Sequence, residues 1–487
     1  MRRLRLTRYS AIAFVTGFVL MAFELVAARL LAPTIGTSIY IWTSVIGVMI
    51  AALAAGYAAG GWVADRRTEP LDVVWLLLLA SFAILSTLVQ YHAALTVIIG
   101  LTADPRLQGV IAAVVLFMPA SFIVGAVSPY LARLQTTSVD TTGRTVAGLS
   151  ALNSLGGITG TFATGFIFFS LIGSAQTLSL LIATLVLSSW LIQSRAFFGL
   201  RLAGSLMAVG IGWLYCLPVA TAHSSRPIDT ATSHYEVANF YYRNQPIRGL
   251  LMGPGGIQSA IAPAEPNRLV FPYTQKIASL AAAAPAPQRI LILGGGAFTL
   301  PEYLGRTYPR AAVDVVEIDP QLPTIARQYF DYQQQPRTTV YATDARAFLE
   351  RPHQPYDLVI IDTYSDYWVP FALTTREFTE RLAGTVTPTG VVLVNLIGSA
   401  QWGCRPYIGS INASYAHAFH QQAVFPAEDP DLNHFQNLIL VYSNASLGWA
   451  DAVPNRQTYL EGPIVPLTDN FAPVEPLLQQ CMDAVRY

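Results

Sequence analysis

Long apolar runs fill the first 221 positions of the chain. Stretches near 10–32, 39–63, 71–90, 109–131, 146–172, 175–193 and 200–221 are each long enough to cross a hydrocarbon core of roughly 30 Å. The pattern predicts a transmembrane helical domain of about seven spans over residues 1–221, with 91–101 too short to cross alone. Small residues recur at helix-packing spacing, at Ala52, Gly56 and Gly60 and again at Gly156 and Gly160, which predicts close approach of helices. After Pro218 the pattern shortens. Residues 222–287 are turn-rich, with Gly253, Pro254, Gly255 and Gly256 between two strand-like pieces, and predict a small β-hairpin unit that ends in the linker APAPQ. Across 288–487 apolar runs (RILILGG, VDVVEID, TTVYATD, YDLVIID, GVVLVNLIG) alternate with helix-like stretches (TLPEYLGRTY, LPTIARQYFDY, REFTERLAGTV). Such alternation predicts a parallel sheet with helices on both faces, which binds ligands at the carboxyl ends of its strands.

Charge sharpens the division. Only 12% of the chain is charged and 53% is hydrophobic, whereas a soluble domain carries about twice that charge. Residues 1–221 hold 12 Arg, no Lys and 6 acidic residues, leaving 17 basic and 23 acidic residues for the rest. A mildly acidic second half offers no footprint for nucleic acid. Arg2, Arg3, Arg5, Arg8, Arg66, Arg67, Arg133, Arg144, Arg195 and Arg201 fall at the N-terminus and at every second connection, as expected of cytoplasmic loops in a multi-pass protein of the plasma (bacterial inner) membrane. A seventh span would carry the C-terminal half to the outer face, where nucleotide-type cosubstrates are scarce. Either one span does not cross or the domain is external. The three cysteines, Cys216, Cys404 and Cys481, form no CxxC or Cys/His cluster, so no metal site is expected. Cys404 and Cys481 could pair only in an oxidising compartment, and two unrelated thiols is the favoured reading.

The chemistry sits at the strand ends. Gly294, Gly295 and Gly296 close the first strand of the alternating region, and Glu317 follows at the end of the second. Glycines there bring the backbone close to a ligand, and the acid can accept both hydroxyls of a ribose. A dinucleotide fingerprint needs a third glycine where Thr299 stands, so an adenosyl group without a pyrophosphate fits better. Asp344, after the third strand, can accept from an adenine amino group or cap the helix that comes next. Asp362 follows the run LVII, which holds no other polar group, as a reactive carboxylate would.

LILGGGAFTLPEYL, VVEIDPQLPTIARQYF, ATDARAFL and YDLVIIDTYSD resemble, in order and spacing, the spermidine synthase family of aminopropyltransferases. SHYEVANFYY and IQSA resemble that family's N-terminal hairpin unit, and FELVAARLLAP, GYAAGGWVADR and LTDNFAPVEPLL its membrane-fused forms. The resemblance implies a multi-span α-helical membrane domain followed by an α/β Rossmann-like domain of class I methyltransferase type with a small N-terminal β-hairpin unit. It implies Glu317 on the ribose, Asp344 on the adenine, and Gln258 and Tyr273 lining the pocket. Asp362 would be the catalytic acid residue and Asp366 would lie near the acceptor amine; apart from the resemblance, Tyr364, Tyr367 or Trp368 can offer an aromatic face to a cation. The implied reaction moves an aminopropyl group from decarboxylated S-adenosylmethionine, a cosubstrate rather than a resident cofactor, to putrescine or a related amine. The hairpin unit in that family commonly joins subunits, which implies a homo-oligomer. Three positions depart from the family pattern. Ala297 replaces an acid, Tyr273-Thr274-Gln275 stands for Tyr-His-Glu, and Asp362 and Asp366 are four rather than three apart. These changes spare the adenosyl half of the site and strip charge from the amine half. Two further readings therefore stand beside the first: methyl or other transfer from S-adenosylmethionine, and a non-catalytic membrane protein that binds or moves polyamines.

Overall fold

The computed structural model describes residues 8–36, 38–102, 104–136, 138–192, 198–199, 201–203, 210, 226–230, 232–253, 256–364, 369–446 and 464–485. The chain forms two compact units, Met1–His223 with Pro227–Tyr235, and Ser224–Arg226 with Glu236–Tyr487.

The first unit is helical. Helices α1 (Arg8–Ile35), α2 (Ile39–Arg66) and α3 (Pro70–Leu101) are followed by α4 (Pro105–Ala112), which runs through a π-turn at Ala113–Phe117 into α5 (Met118–Gln135). Then come α6 (Thr142–Ala163), a second π-turn at Thr164–Phe168, α7 (Phe169–Leu171) and α8 (Gly173–Ser189). Four of these, Arg8–Ala32, Ile39–Arg66, Pro70–Leu101 and Arg106–Gln135, are long and apolar enough to cross a membrane, and Gly173–Ser189 is a shorter apolar helix. Two differences from the expected spans have plain causes, and one span is not described. Residues 91–101 are no separate piece but the last turns of α3, since no Gly or Pro interrupts Pro70–Leu101 before Gly100. The stretch 146–172 is broken at the π-turn and at Ile172, where Gly173 turns left-handed with φ 73°. The segment 200–221 lies almost wholly outside the described residues. The small-residue motifs are where backbones meet. A Cβ on Gly156 would stand 1.9 Å from the Phe14 carbonyl oxygen, so only glycine lets α6 lie this close to α1.

Two sheets follow the helices. In the smaller, β1 (Arg226–Asp229), β2 (His234–Tyr242), β3 (Gln245–Leu251) and β4 (Ile257–Ile261) lie in sequence order, so the expected hairpin is a four-stranded sheet. Arg243 (φ 49°) and Asn244 (φ 63°) make the tight turn between β2 and β3, a left-handed pair that suits the twist of a two-residue hairpin. Of the expected glycine turn between β3 and β4, Pro254 and Gly255 lie outside the described residues. Helix α9 (Pro272–Ala283) leads to the larger sheet.

That sheet contains β5 (Arg289–Leu293), β6 (Ala312–Glu317), β7 (Thr338–Ala342), β8 (Tyr356–Ile361), β9 (Val386–Gly398), β10 (Gln421–Pro426) and β11 (Gln436–Ser443), in the order β10-β11-β9-β8-β5-β6-β7. The strands from β5 to β9 pair in parallel. The sheet is not parallel throughout, because β11 pairs antiparallel with β9 and β10 antiparallel with β11. This is the mixed sheet of a methyltransferase-type α/β fold. Its centre is dry: Ile290, Leu291, Ile292, Leu293, Val359 and Ile360 are wholly buried. Helices α10 (Thr299–Thr307), α11 (Leu322–Tyr329), α12 (Ala345–Leu349), α13 (Arg376–Gly384), α14 (Arg405–Ala418) and α15 (Val474–Val485) complete the unit.

Cys404 and Cys481 are joined in a disulfide, which corrects the reading of two unrelated thiols. Helix α15 buries Val474, Leu477, Leu478 and Cys481 on one face, and that face meets the turn at Trp402–Cys404, a neighbour hidden by 77 residues of sequence. Closing a loop of that length stabilises the fold by about 4–5 kcal/mol in the chain-entropy account. Cys481→Ala is therefore expected to lower the denaturation midpoint of the oxidised protein to that of the reduced wild type. Equal midpoints for oxidised wild type and variant would show that the bond contributes nothing.

Candidate active site

Parallel register gathers the candidate residues. The order β8-β5-β6-β7 puts four carboxyl ends side by side. Backbone pairing continues to the last residue of each. Asp362 N–H donates to the Leu293 carbonyl at 2.9 Å, Gly294 N–H to Val316 at 2.9 Å, and Thr343 N–H to Glu317 at 3.0 Å. Neighbouring strands lie about 4.8 Å apart, so Asp362, Gly294, Glu317 and Asp344 occupy successive steps along one edge.

The glycine loop fits into this edge without side chains. Gly294 has φ 96°, and a Cβ there would lie 2.1 Å from the Asp362 carbonyl oxygen. On the other flank, a Cβ on Gly296 would lie 2.9 Å from Ser259 Oγ on β4, so the small sheet overhangs the loop. Glu317 is buried and braces the loop from below: one oxygen accepts from Gly295 N–H at 2.8 Å, the other from Asp319 N–H at 3.0 Å. Burial raises its pKa against the pull of these backbone donors. Gly296 N–H is a third backbone donor to the carboxylate, and the acceptor capacity that remains can take a ligand hydroxyl. Asp344 caps α12, its Oδ1 accepting from Arg346 N–H (2.9 Å) and Ala347 N–H (3.0 Å).

Asp362 is held from both sides. Asn395 Nδ2 donates to its Oδ1 at 2.8 Å, and Asn437 Nδ2 in turn donates to Asn395 Oδ1 at 2.9 Å. The Tyr273 hydroxyl stands within reach of the Gln258 carbonyl (3.4 Å) and of the Asp362 carboxyl, the stronger acceptor. Burial lifts the Asp362 pKa above its ordinary 3.8, against the bonds from Asn395 and Tyr273. Burial, with Asp362 nearby, also holds Tyr273 well above the usual phenol range, so it stays a neutral donor. Tyr364 is fixed by its hydroxyl, which accepts from Ile397 N–H at 2.6 Å. Gln258 donates its Nε2 to the Tyr364 carbonyl at 3.1 Å, and its buried Oε1 has no hydrogen-bond partner among the described residues. An orphaned buried acceptor costs about 1–3 kcal/mol, which a ligand donor would relieve.

The structure thus brings together Gly294, Gly295, Gly296, Glu317, Asp362, Tyr273, Gln258 and Tyr364, with Asp344 at the far end of the row. Asp366, Tyr367 and Trp368 lie outside the described residues. Sequence reading missed Asn395 and Asn437. The signal for Asn395 was present: it is the one polar residue in the run VVLVNLI, buried at 4% exposure. At the positions that depart from the family pattern, Ala297 is buried, Thr274 Oγ1 donates to Phe271 O at 2.8 Å, and Gln275 Nε2 donates to Leu269 O at 2.8 Å.

Residues 270–441 match the family model described as the spermine/spermidine synthase domain. The chain is 33% identical over 138 residues to the polyamine aminopropyltransferase of Vibrio vulnificus, covering 28% of this chain and 46% of that protein. It is 36% identical over 130 residues to putrescine N-methyltransferase 2 of Nicotiana tabacum, covering 25% of this chain and 36% of that one. It therefore spans less than half the length of these relatives. Among solved structures, a probable spermidine synthase from Corynebacterium glutamicum aligns over 51% of this chain and 91% of its own at 24% identity, with a TM-score of 0.39.

The Asp362 environment makes a measurable prediction. A carboxyl whose folded pKa is raised stabilises the fold below its unfolded pKa, and that contribution is lost as pH rises through the folded value. Asp362→Asn is therefore expected to be more stable than wild type at pH 7 and to lose that advantage below pH 4. Removing the Asn395 donor should raise the Asp362 midpoint further, visible by carboxyl-carbon NMR in Asn395→Ala. A midpoint at or below 3.8 in wild type would refute this account.

Proposed function

With residues 270–441 forming a spermine/spermidine synthase domain, we propose that the chain is a membrane-bound transferase that moves an aminopropyl group from decarboxylated S-adenosylmethionine to putrescine or a related amine. One observation carries the reading. The Asp362 carboxyl is held by Asn395, and the backbone carbonyl of the same residue meets the glycine loop that Glu317 braces. A proton acceptor and an adenosyl cradle thus share one edge.

The amine arrives as an ammonium ion and must lose a proton before it can attack. Asp362 takes that proton. The amine nitrogen then bonds to the carbon next to the sulfonium as the carbon–sulfur bond breaks, and the electron pair returns to sulfur to leave a neutral thioether. Glu317 accepts the ribose hydroxyls. Asp344 offers Oδ2 to the adenine amino group, since its Oδ1 is used by the helix cap. Gln258 Oε1 and the Tyr364 ring face the transferred chain, and Asp366 holds the acceptor amine. Because most of these side chains are already fixed, the rate gain comes chiefly from positioning. The four long apolar helices hold the enzyme in the bilayer as a multi-pass protein.

A second reading, methyl transfer from intact S-adenosylmethionine to an amine, draws support from the neutral side chains at Ala297, Thr274 and Gln275, the last two turned to nearby backbone carbonyls. The likeness to a putrescine N-methyltransferase points the same way.

Calorimetry of the full chain in lipid nanodiscs with both forms of the cosubstrate separates the readings. Tighter binding of the decarboxylated form, with conversion of putrescine to spermidine, is expected. Preference for the intact form, with methylated product, selects the second reading. Binding without turnover, unchanged in Asp362→Asn, leaves a polyamine-binding protein instead. In the expected case Asp362→Asn lowers kcat by about 10²–10⁴ while cosubstrate still binds. Glu317→Ala should weaken the cosubstrate by about 1.5–3 kcal/mol, the worth of hydrogen bonds to a charged acceptor. The acid limb of kcat/KM should lie above 3.8.

A further inference from the structure

We infer that the chain from Glu236 onward, Asp362 and its neighbours included, faces the oxidising, non-cytoplasmic side of the membrane, so that the site draws its amine and its adenosyl-sulfur partner from that compartment. The inference rests on the membrane-spanning reading of the helical unit, and not on which group is transferred.

Short connections between consecutive helices reverse the chain at each crossing, which defines two ends of the bundle. Contacts across the bundle agree. At one end the Tyr130 hydroxyl lies 3.4 Å from Asp72. At the other, Arg106 reaches the Tyr40 hydroxyl at 3.3 Å, and the Arg29 guanidinium lies 4.2 Å above the Phe169 ring. Ten of the 12 arginines in residues 1–221 belong to the first end by sequence, and only Arg29 and Arg106 to the second. The first end is therefore cytoplasmic.

The chain after α8 starts from that cytoplasmic end. Arg201 donates to the Ile192 carbonyl at 3.3 Å and lies over the Trp190 ring, just past the C-terminus of α8. Asp229 is at the other end of the same helix. Its Oδ2 accepts from Ser174 N–H at 3.0 Å, and Arg29 donates to the Ser233 carbonyl at 3.1 Å and to that of Thr230. Between Arg201 and Asp229 the chain has therefore travelled the length of a 17-residue helix, about 25 Å. Residues 202–222 contain no charged side chain, as one more crossing requires. Connectivity alone then carries Glu236 and the residues after it to the non-cytoplasmic side. The disulfide points there independently. It joins Cys404 to Cys481, the two cysteines of residues 224–487, and such bonds persist in oxidising compartments.

The test labels the full chain in spheroplasts of a bacterial host with a membrane-impermeant maleimide. Tyr241 (83% exposed), Phe471 (61%) and Val139 (91%) give three probes, Tyr241→Cys, Phe471→Cys and Val139→Cys. The first two should label in intact spheroplasts, and Val139→Cys only after permeabilisation. Native Cys404 and Cys481 should label only after reduction. Reversed labelling of the probes, or free thiols at 404 and 481 in unreduced membranes, would overturn the inference. If the chain leaves the membrane pellet in alkaline carbonate, the spanning reading falls and takes the inference with it. None of these outcomes alters the calorimetric test of the transferase.

Discussion

The contact between Gly294 and the Asp362 carbonyl is the constraint on which the site depends. A side chain at 294 would have to occupy space 2.1 Å from that oxygen, so any other residue would push the loop away from β8 or twist the end of the strand. Left as it is, the loop turns sharply at φ 96° and points Gly295 N–H at Glu317. One backbone approach thus fixes the distance between the acid that would hold a ribose and the carboxyl that would take a proton. The parallel register of β8, β5 and β6 supports it from beneath, and the apolar centre of the sheet keeps that register.

The residues around Asp362 show why this arrangement needs more than one strand. A buried carboxyl is costly unless it is hydrogen-bonded. Asn395 supplies the bond from β9, and Asn437 on β11 fixes the Asn395 amide. The antiparallel strand β11 therefore takes part in the site through a relay of two amides. The same bonds hold the carboxyl in place while burial still keeps its pKa above the ordinary carboxylate value. A base tuned upward binds the proton of an ammonium more readily than an exposed aspartate would.

How much of this was legible depends on the range of each signal. The glycine loop, Glu317 and Asp362 could be read because each ends a strongly apolar strand, and Asp344 because it follows the next strand of the same alternation; strand ends of a parallel sheet must meet. The four-stranded small sheet was seen only as a hairpin, because Arg243 and Asn244 adopt a turn more often marked by Asn-Gly. The strands β10 and β11 went unassigned, and with them Asn437, since antiparallel pairing at a sheet edge leaves no βα rhythm in the chain. The disulfide was hidden for a different reason. Its partners are 77 residues apart, and only the packing of α15 on the Trp402–Cys404 turn brings them together.

The two halves of the molecule constrain each other through composition. On the membrane-spanning reading, the arginines of the first half would orient the bundle, and the count of crossings would decide which compartment the second half meets. A disulfide in the second half and a charge asymmetry in the first are unrelated in origin, yet both assign the α/β unit to the same side. That agreement bears on the chemistry at the amine end of the site. There the chain presents Ala297, Thr274 and Gln275, with the two polar side chains turned to backbone carbonyls. A site with fewer fixed charges binds a diamine less tightly but discriminates less among cations. On the proposed reading, residual selectivity would fall to Asp362, Gln258 and the aromatic rings, groups that would recognise an amine by a single proton and a flat face rather than by two charges at a set spacing.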